Sequence, residues 1–175
     1  MELTGSRQIN APRSEVWEAL NDPDVLKACI PGCTEMTRDE NGGFTAVVTQ
    51  KVGPVKATFK GAVTLSDIVV QESYTISGEG KGGAAGFAKG GAAVRLEDFE
   101  TGTKLSYVVE AKIGGKLAQL GSRVVGGVAK KLADKFFENF SNAVAPAEPT
   151  IEENIIEEPE KGILAKTKGW FKKKN

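Results

Sequence analysis

Few residues in this chain are equipped for chemistry. Two cysteines, Cys29 and Cys33, bracket a Pro31-Gly32 turn. Thiols at that spacing serve metal binding or nucleophilic attack when an imidazole helps, and the chain contains no histidine. They read as structural thiols, too few for a disulfide framework. Tyr74 and Tyr107 fall on strand-like alternations and read as core aromatics with a wet hydroxyl. The stretch GEGKGGAAG lies among strands and lacks the spacing of a phosphate loop. No carboxylate pair or nucleophile–base arrangement stands out. The expectation is a non-catalytic protein with no metal site and no covalent cofactor. An enzyme of cyclase or hydrolase type is the second alternative.

Two polar side chains carry a different kind of chemistry. Arg7 and Gln50 fall on faces predicted to point inward, where an unpaired polar group is costly. They are candidates to hydrogen-bond the polar head of a ligand, with one reservation of register: a slip of one residue turns either outward.

The last fifteen residues, KGILAKTKGWFKKKN, contain six lysines. Ile163, Leu164, Trp170 and Phe171 fall at i, i+1, i+7 and i+8, on one side of a helix. Lys166, Lys168, Lys172, Lys173 and Lys174 take much of the remaining surface. A short basic amphipathic segment with Trp and Phe on its apolar face suits the headgroups of an anionic membrane. Each lysine near such a surface contributes about 1 kcal/mol. Gly162 and Gly169 weaken the helix, so the expectation is reversible docking that salt loosens.

The formal charge is zero but unevenly placed. Residues 146–160 hold six glutamates and no Lys or Arg, and read as an acidic linker. A basic nucleic-acid-binding domain is not indicated, and no nucleic-acid partner is expected. The first residues, MELTGSRQIN, lack a charged start followed by an apolar run, so the expected location is the cytoplasm, peripheral on the inner face of its membrane.

The elements that would position these residues occupy 1–145. Residues 1–10 read as a strand. Pro12 opens a short helix carrying Val16, Trp17 and Leu20, and Asp22 caps a second through Val25, Leu26 and Ala28. Period-two alternation then marks strands with Phe44, Ala46 and Val48 on one face, and likewise Phe59, Gly61 and Val63, Tyr74 and Ile76, Ala92 and Val94, and Tyr107 and Val109. One apolar face per strand means an antiparallel sheet covered on one side. From Lys116 to about Val144, Leu117, Leu120, Val124, Val128, Leu132, Phe136 and Phe140 make one helical stripe. The expected fold is α+β: a curved antiparallel sheet of about seven strands around a long C-terminal helix, with two short helices after the first strand.

Glycines crowd this layout. Gly121, Gly126 and Gly127 interrupt the helical pattern, and residues 78–93 contain seven more. Two readings stand. Either small inward residues leave an apolar cavity, or the glycines permit bulges, curvature and close helix–sheet approach. On the cavity reading the lining comes from Trp17, Phe44, Val48, Phe59, Val63, Tyr74, Ile76, Val94, Tyr107 and Val109. Leu120, Val124, Val128, Leu132 and Phe136 add the helix side.

The run Ala11-Pro12 through Val16-Trp17, Leu20, Asp22-Pro23, Leu26 and Ile30-Pro31-Gly32-Cys33 resembles the CoxG family of carbon monoxide dehydrogenase subunits, of the START-like or SRPBCC superfamily with the helix-grip fold. The resemblance covers about residues 1–145. It implies an accessory protein of a molybdenum-containing CO dehydrogenase or related hydroxylase, linked to recruiting that enzyme to the cytoplasmic membrane, with a cavity suited to a quinone or other isoprenoid lipid. It carries over no catalytic set. A pure membrane-recruitment adaptor with a filled core is the main alternative.

Overall fold

The computed structural model describes residues 1–145. The linker 146–160 and the tail 161–175, with every membrane residue named in it, lie outside the described residues.

The chain opens with β1 (Glu2–Ile9), followed by two short helices, α1 (Arg13–Leu20) and α2 (Pro23–Cys29). Pro12 sits at the N-cap of α1 in an extended conformation, one residue before the position its ring also suits. Asp22 caps α2, its carboxylate accepting from the Asp24 amide at 2.9 Å. Six strands follow: β2 (Cys33–Arg38), β3 (Phe44–Val52), β4 (Val55–Val69), β5 (Ser73–Lys81), β6 (Phe87–Phe99) and β7 (Gly102–Gly114). They form one antiparallel sheet in the order β1-β7-β6-β5-β4-β3-β2. The chain returns along the sheet as α3 (Lys116–Gln119) and α4 (Ser122–Val144).

Two details depart from the sequence reading. β2 carries a single inward apolar residue, Met36, in a polar run; pairing with β3 makes it a strand where local pattern gave only a turn. The long helix is also not continuous from Lys116. Gly121 takes φ +90, a conformation outside the helical region, and so separates α3 from α4. Leu117 and Leu120 therefore belong to a separate turn of chain, not to the α4 stripe.

Burial is concentrated at one end. Ile9, Val16, Leu20, Cys29, Leu96, Leu105 and Phe140 form a buried cluster there together with Tyr74, Val94 and Tyr107. The buried Thr103 is satisfied by donating to the Ala11 carbonyl at 2.7 Å. Asn139 on α4 donates to the Cys29 carbonyl at 3.0 Å, occupying an acceptor left free at the end of α2.

Candidate functional site

Beyond that cluster the side chains stop filling the space. Strand β4 turns Gly61 inward, β5 turns Gly78 and Gly80, and β6 turns Ala88, Gly90 and Ala92. With no side chain, or only a methyl, along these rungs, a cavity of about 640 Å³ remains between sheet and helices. Small-molecule sites range over about 300–1,000 Å³.

The two readings of the glycines both hold, at different positions. At Gly78 a Cβ would lie 2.3 Å from the Ala62 carbonyl oxygen, so this glycine permits close strand approach in a curved sheet. At Gly80 the nearest atom would be Phe59 Cβ at 3.8 Å, so there the missing side chain leaves open space. On α4, a Cβ at Gly126 or Gly127 meets nothing within 4 Å.

The structure brings most of the anticipated residues together. Phe44, Val48, Phe59 and Val63 line the wall from β3 and β4. Tyr74, Ile76, Val94, Tyr107 and Val109 line it from β5 to β7, and Leu132 and Phe136 face it from α4. Four others stand elsewhere. Trp17 packs edge-on against the Tyr74 ring at 5.4 Å between centroids, buttressing the wall without joining the lining. Leu120 and Val124 lie against Gly53 in the β3–β4 turn, and Val124 is 39 % exposed. Val128 is half-buried and also outside the lining. The stripe Leu120–Val124–Val128 was legible as helical, but the break at Gly121 shifts where the helix begins to face the cavity.

Several lining residues escaped the sequence reading. Leu20 and Leu26 reach in from the short helices, and Met36 from β2. Phe137, next in sequence to Phe136 and off the i, i+4 stripe, also lines the cavity. Its ring stacks on Tyr107 with centroids 5.2 Å apart.

The two candidate polar contacts separate. Gln50 lines the cavity, but its amide nitrogen already donates to the Pro31 carbonyl at 2.5 Å, fixing the α2–β2 loop. Arg7 does not line the cavity. Its guanidinium donates to Asp134 on α4 and lies 5.3 Å from the centre of the Phe137 ring. Glu79, Lys89 and Glu110 border the cavity as well, and two tyrosines, Tyr74 and Tyr107, stand in its wall. Tyr107 fits because Gly5 has no side chain: a Cβ there would lie 2.5 Å from the hydroxyl oxygen. Tyr74 is 6 % exposed, and its hydroxyl makes no hydrogen bond among the described residues. Burial pushes its pKa well above the ordinary tyrosine value, so it stays a neutral donor. Burial likewise raises both thiols, Cys29 and Cys33. Both cysteines are free, and Cys33 donates weakly to the Glu35 carbonyl.

A curved seven-stranded antiparallel sheet wrapped on a C-terminal helix, with two short helices after the first strand and a hollow apolar interior, is the helix-grip architecture of START-like (SRPBCC) proteins. Solved structures of the same shape include a conserved protein from Geobacillus kaustophilus, 31 % identical, covering 83 % of this chain and 95 % of that one with a TM-score of 0.76. A Chromobacterium violaceum protein at 14 % identity covers 84 % and 99 % with a TM-score of 0.64. A Thermus thermophilus protein at 13 % covers 85 % and 99 %, also at 0.64. Residues 5–145 match the family model of the carbon monoxide dehydrogenase CoxG subunit, and the chain belongs to this CoxG family. Family membership associates it with CO dehydrogenase in an accessory role. No curated protein matches the chain.

Proposed function

We propose that this protein binds an isoprenoid quinone, or a lipid of similar build, in the apolar cavity. In the same proposal it links a cytoplasmic CO dehydrogenase-type molybdenum hydroxylase to the inner face of the membrane for electron transfer. The observation that carries the reading is a cavity of about 640 Å³ walled in part by two buried tyrosines, Tyr74 and Tyr107, whose hydroxyls have no hydrogen-bond partner among the described residues. An unpaired buried hydroxyl costs about 1–3 kcal/mol. A ligand carbonyl would offset that cost while a prenyl tail fills the space beyond. Burying about 400 Å² of hydrocarbon yields roughly 10 kcal/mol, against about 8 kcal/mol for micromolar affinity. The protein itself supplies no redox group on this reading. It presents the quinone, and the partner enzyme delivers two electrons that, with two protons from water, convert it to the quinol.

The segment 161–175 provides the membrane contact, through Trp170, Phe171 and its lysines. No helix among the described residues is long and apolar enough to cross a bilayer, so attachment on this reading is peripheral.

The test is organic extraction and mass spectrometry of protein purified with its native lipids, together with quinone titration followed by thermal shift. A bound ligand raises the melting temperature, and the shift grows with the logarithm of free ligand above its Kd. Recovery of no prenylated molecule and no shift with any quinone would leave only the adaptor reading. Removing residues 146–175 separates the two functions: ligand binding persists while membrane recruitment of the dehydrogenase is lost or strongly reduced.

A further inference from the structure

The outer surface of the sheet carries an arrangement that the cavity does not explain. At three rungs, lysines stand directly opposite each other: Lys51 faces Lys56, Lys60 faces Lys81, and Lys89 faces Lys112. Like charges so placed on a sheet are destabilising. All six residues are exposed, and none forms an ion pair among the described residues. Carboxylates share this face: Glu79 is opposite Lys89, Glu35 lies across Val47 from Lys60, and Glu110 is opposite Glu2.

The lysines gather at one end of the molecule. Antiparallel pairing brings the β3–β4 turn at Gly53, the β5–β6 turn at residues 82–86 and the end of β7 to the same side, and Lys116 and Arg123 follow there in the chain. The opposite turns carry Asp39 and Glu40, Asp67 and Glu72, and Asp98 and Glu100. The folded part thus holds an excess of cations at one end, where Glu2, Glu35, Glu79 and Glu110 partly offset them, and an excess of carboxylates at the other, where Arg13 pairs with Asp98 and Arg95 with Glu97.

We propose that the lysine-bearing end is a docking face for an anionic phospholipid leaflet, standing the domain on the bilayer with these turns toward the headgroups. This rests on the membrane reading above and adds a folded contact to it. Opposed lysines stand about 5 Å apart across each pair, inside the Debye length of about 10 Å at 0.1 M salt, so each pair acts as a doubled charge; Lys56 and Lys60, on the same strand β4, are about 13 Å apart. The cations are lysines with Arg123 the one arginine, which suits a diffuse headgroup field better than bidentate recognition of a fixed phosphate. The tip adds uncharged Gly53 and Pro54 and the exposed Val124. Directly behind the lysines, Gly80, Gly90 and Ala111 face the cavity, so docking here brings the ligand space close to the lipid. Residue 145 lies at the opposite end, with Val144 and Ala145 packed on the cluster containing Ile9. A 23-residue helix such as α4 is about 35 Å long.

The experiment uses the full chain and sedimentation with vesicles of equal parts phosphatidylglycerol and phosphatidylcholine. The variant K51Q/K56Q/K60Q/K81Q keeps the tail intact and should bind at least about tenfold more weakly. It should melt no lower than the parent, because the opposed charges are gone. A tail variant, Trp170→Ala with Phe171→Ala, should retain residual binding that high salt abolishes. Binding of the lysine variant equal to the parent overturns this inference while leaving the tail reading intact. Failure of the parent chain to bind these vesicles overturns both. A DNA duplex or an acidic protein that displaces the parent from vesicles through these same lysines would overturn the lipid assignment.

Discussion

Arg7 on β1 and Asp134 on α4 form an ion pair that clasps the edge strand of the sheet to the long helix. The guanidinium also lies over Phe137, which in turn stacks on Tyr107 in the cavity wall. One cation therefore braces the helix over the open side of the sheet. Replacing Arg7 with Ala should cost about 0.5–1 kcal/mol from the lost cation–π contact alone, read by urea denaturation. A double-mutant cycle with Asp134→Asn should give a positive coupling energy that falls with added salt.

That same carboxylate sets a pH dependence. Asp134 is held below the ordinary aspartate value, first by the hydrogen bond from Lys130 and further by Arg7. A lowered pKa contributes stability above the unfolded value, and that contribution disappears as pH falls through the folded value. The helix should loosen from β1 only below about pH 3.9. Hydrogen exchange of α4 amides, followed from neutral pH downward, checks this; loosening already at pH 6 would contradict it.

Two glycine substitutions should act in opposite directions. Gly126→Ala meets nothing within 4 Å and improves helix propensity, so it should raise stability by about 0.5–1 kcal/mol. Gly78→Ala would drive a methyl to 2.3 Å from the Ala62 carbonyl and should lower stability by about 1–3 kcal/mol. Melting curves of the two variants side by side decide the matter.

Tyr74→Phe isolates one of the two unpaired hydroxyls. Without ligand the variant should be as stable as the parent or up to about 1 kcal/mol more so, since a buried donor without a partner is removed. Its affinity for a short-tailed benzoquinone should fall by about threefold to tenfold. A hydrocarbon of the same length with no carbonyl should bind both proteins equally.

Filling the cavity gives the complementary result. At Gly80 the nearest neighbour is Phe59 at 3.8 Å, so Gly80→Val enters open space and a β-branched residue suits a strand. Stability should be retained while quinone binding drops by at least about tenfold, as judged by titration calorimetry. Undiminished binding would mean that the ligand sits elsewhere.

Much of this fold was legible because alternation along the strands is a local property. The inward faces of β3 to β7 read off the period-two pattern, and Asp22-Pro23 announced the start of α2. What escaped were features fixed by partners distant in sequence. β2 exists because β3 lies beside it, and its own residues Thr34, Glu35 and Thr37 say little. Arg7 sits on the inward face as its position required, yet a carboxylate on α4 claimed it before any ligand could. Gly121 fits a helical count by spacing, and only its backbone angle reveals the break. Tyr74 and Tyr107 looked alike in sequence; their different surroundings come from Trp17 on one side and Gly5 on the other.

If the cavity binds a ligand as proposed, the bare rungs at Gly61, Gly78, Gly80, Gly90 and Ala92 bear on which guest fits. A surface made of peptide groups offers little functionality for substitution to alter, and strand spacing sets its contour. Along those rungs the fit of a guest would be set by girth. Retuning would fall to the side chains that do face the space, such as Phe59 and Tyr74 on the sheet and Leu132 and Phe136 on α4, or to a side chain introduced at a bare position such as Gly80.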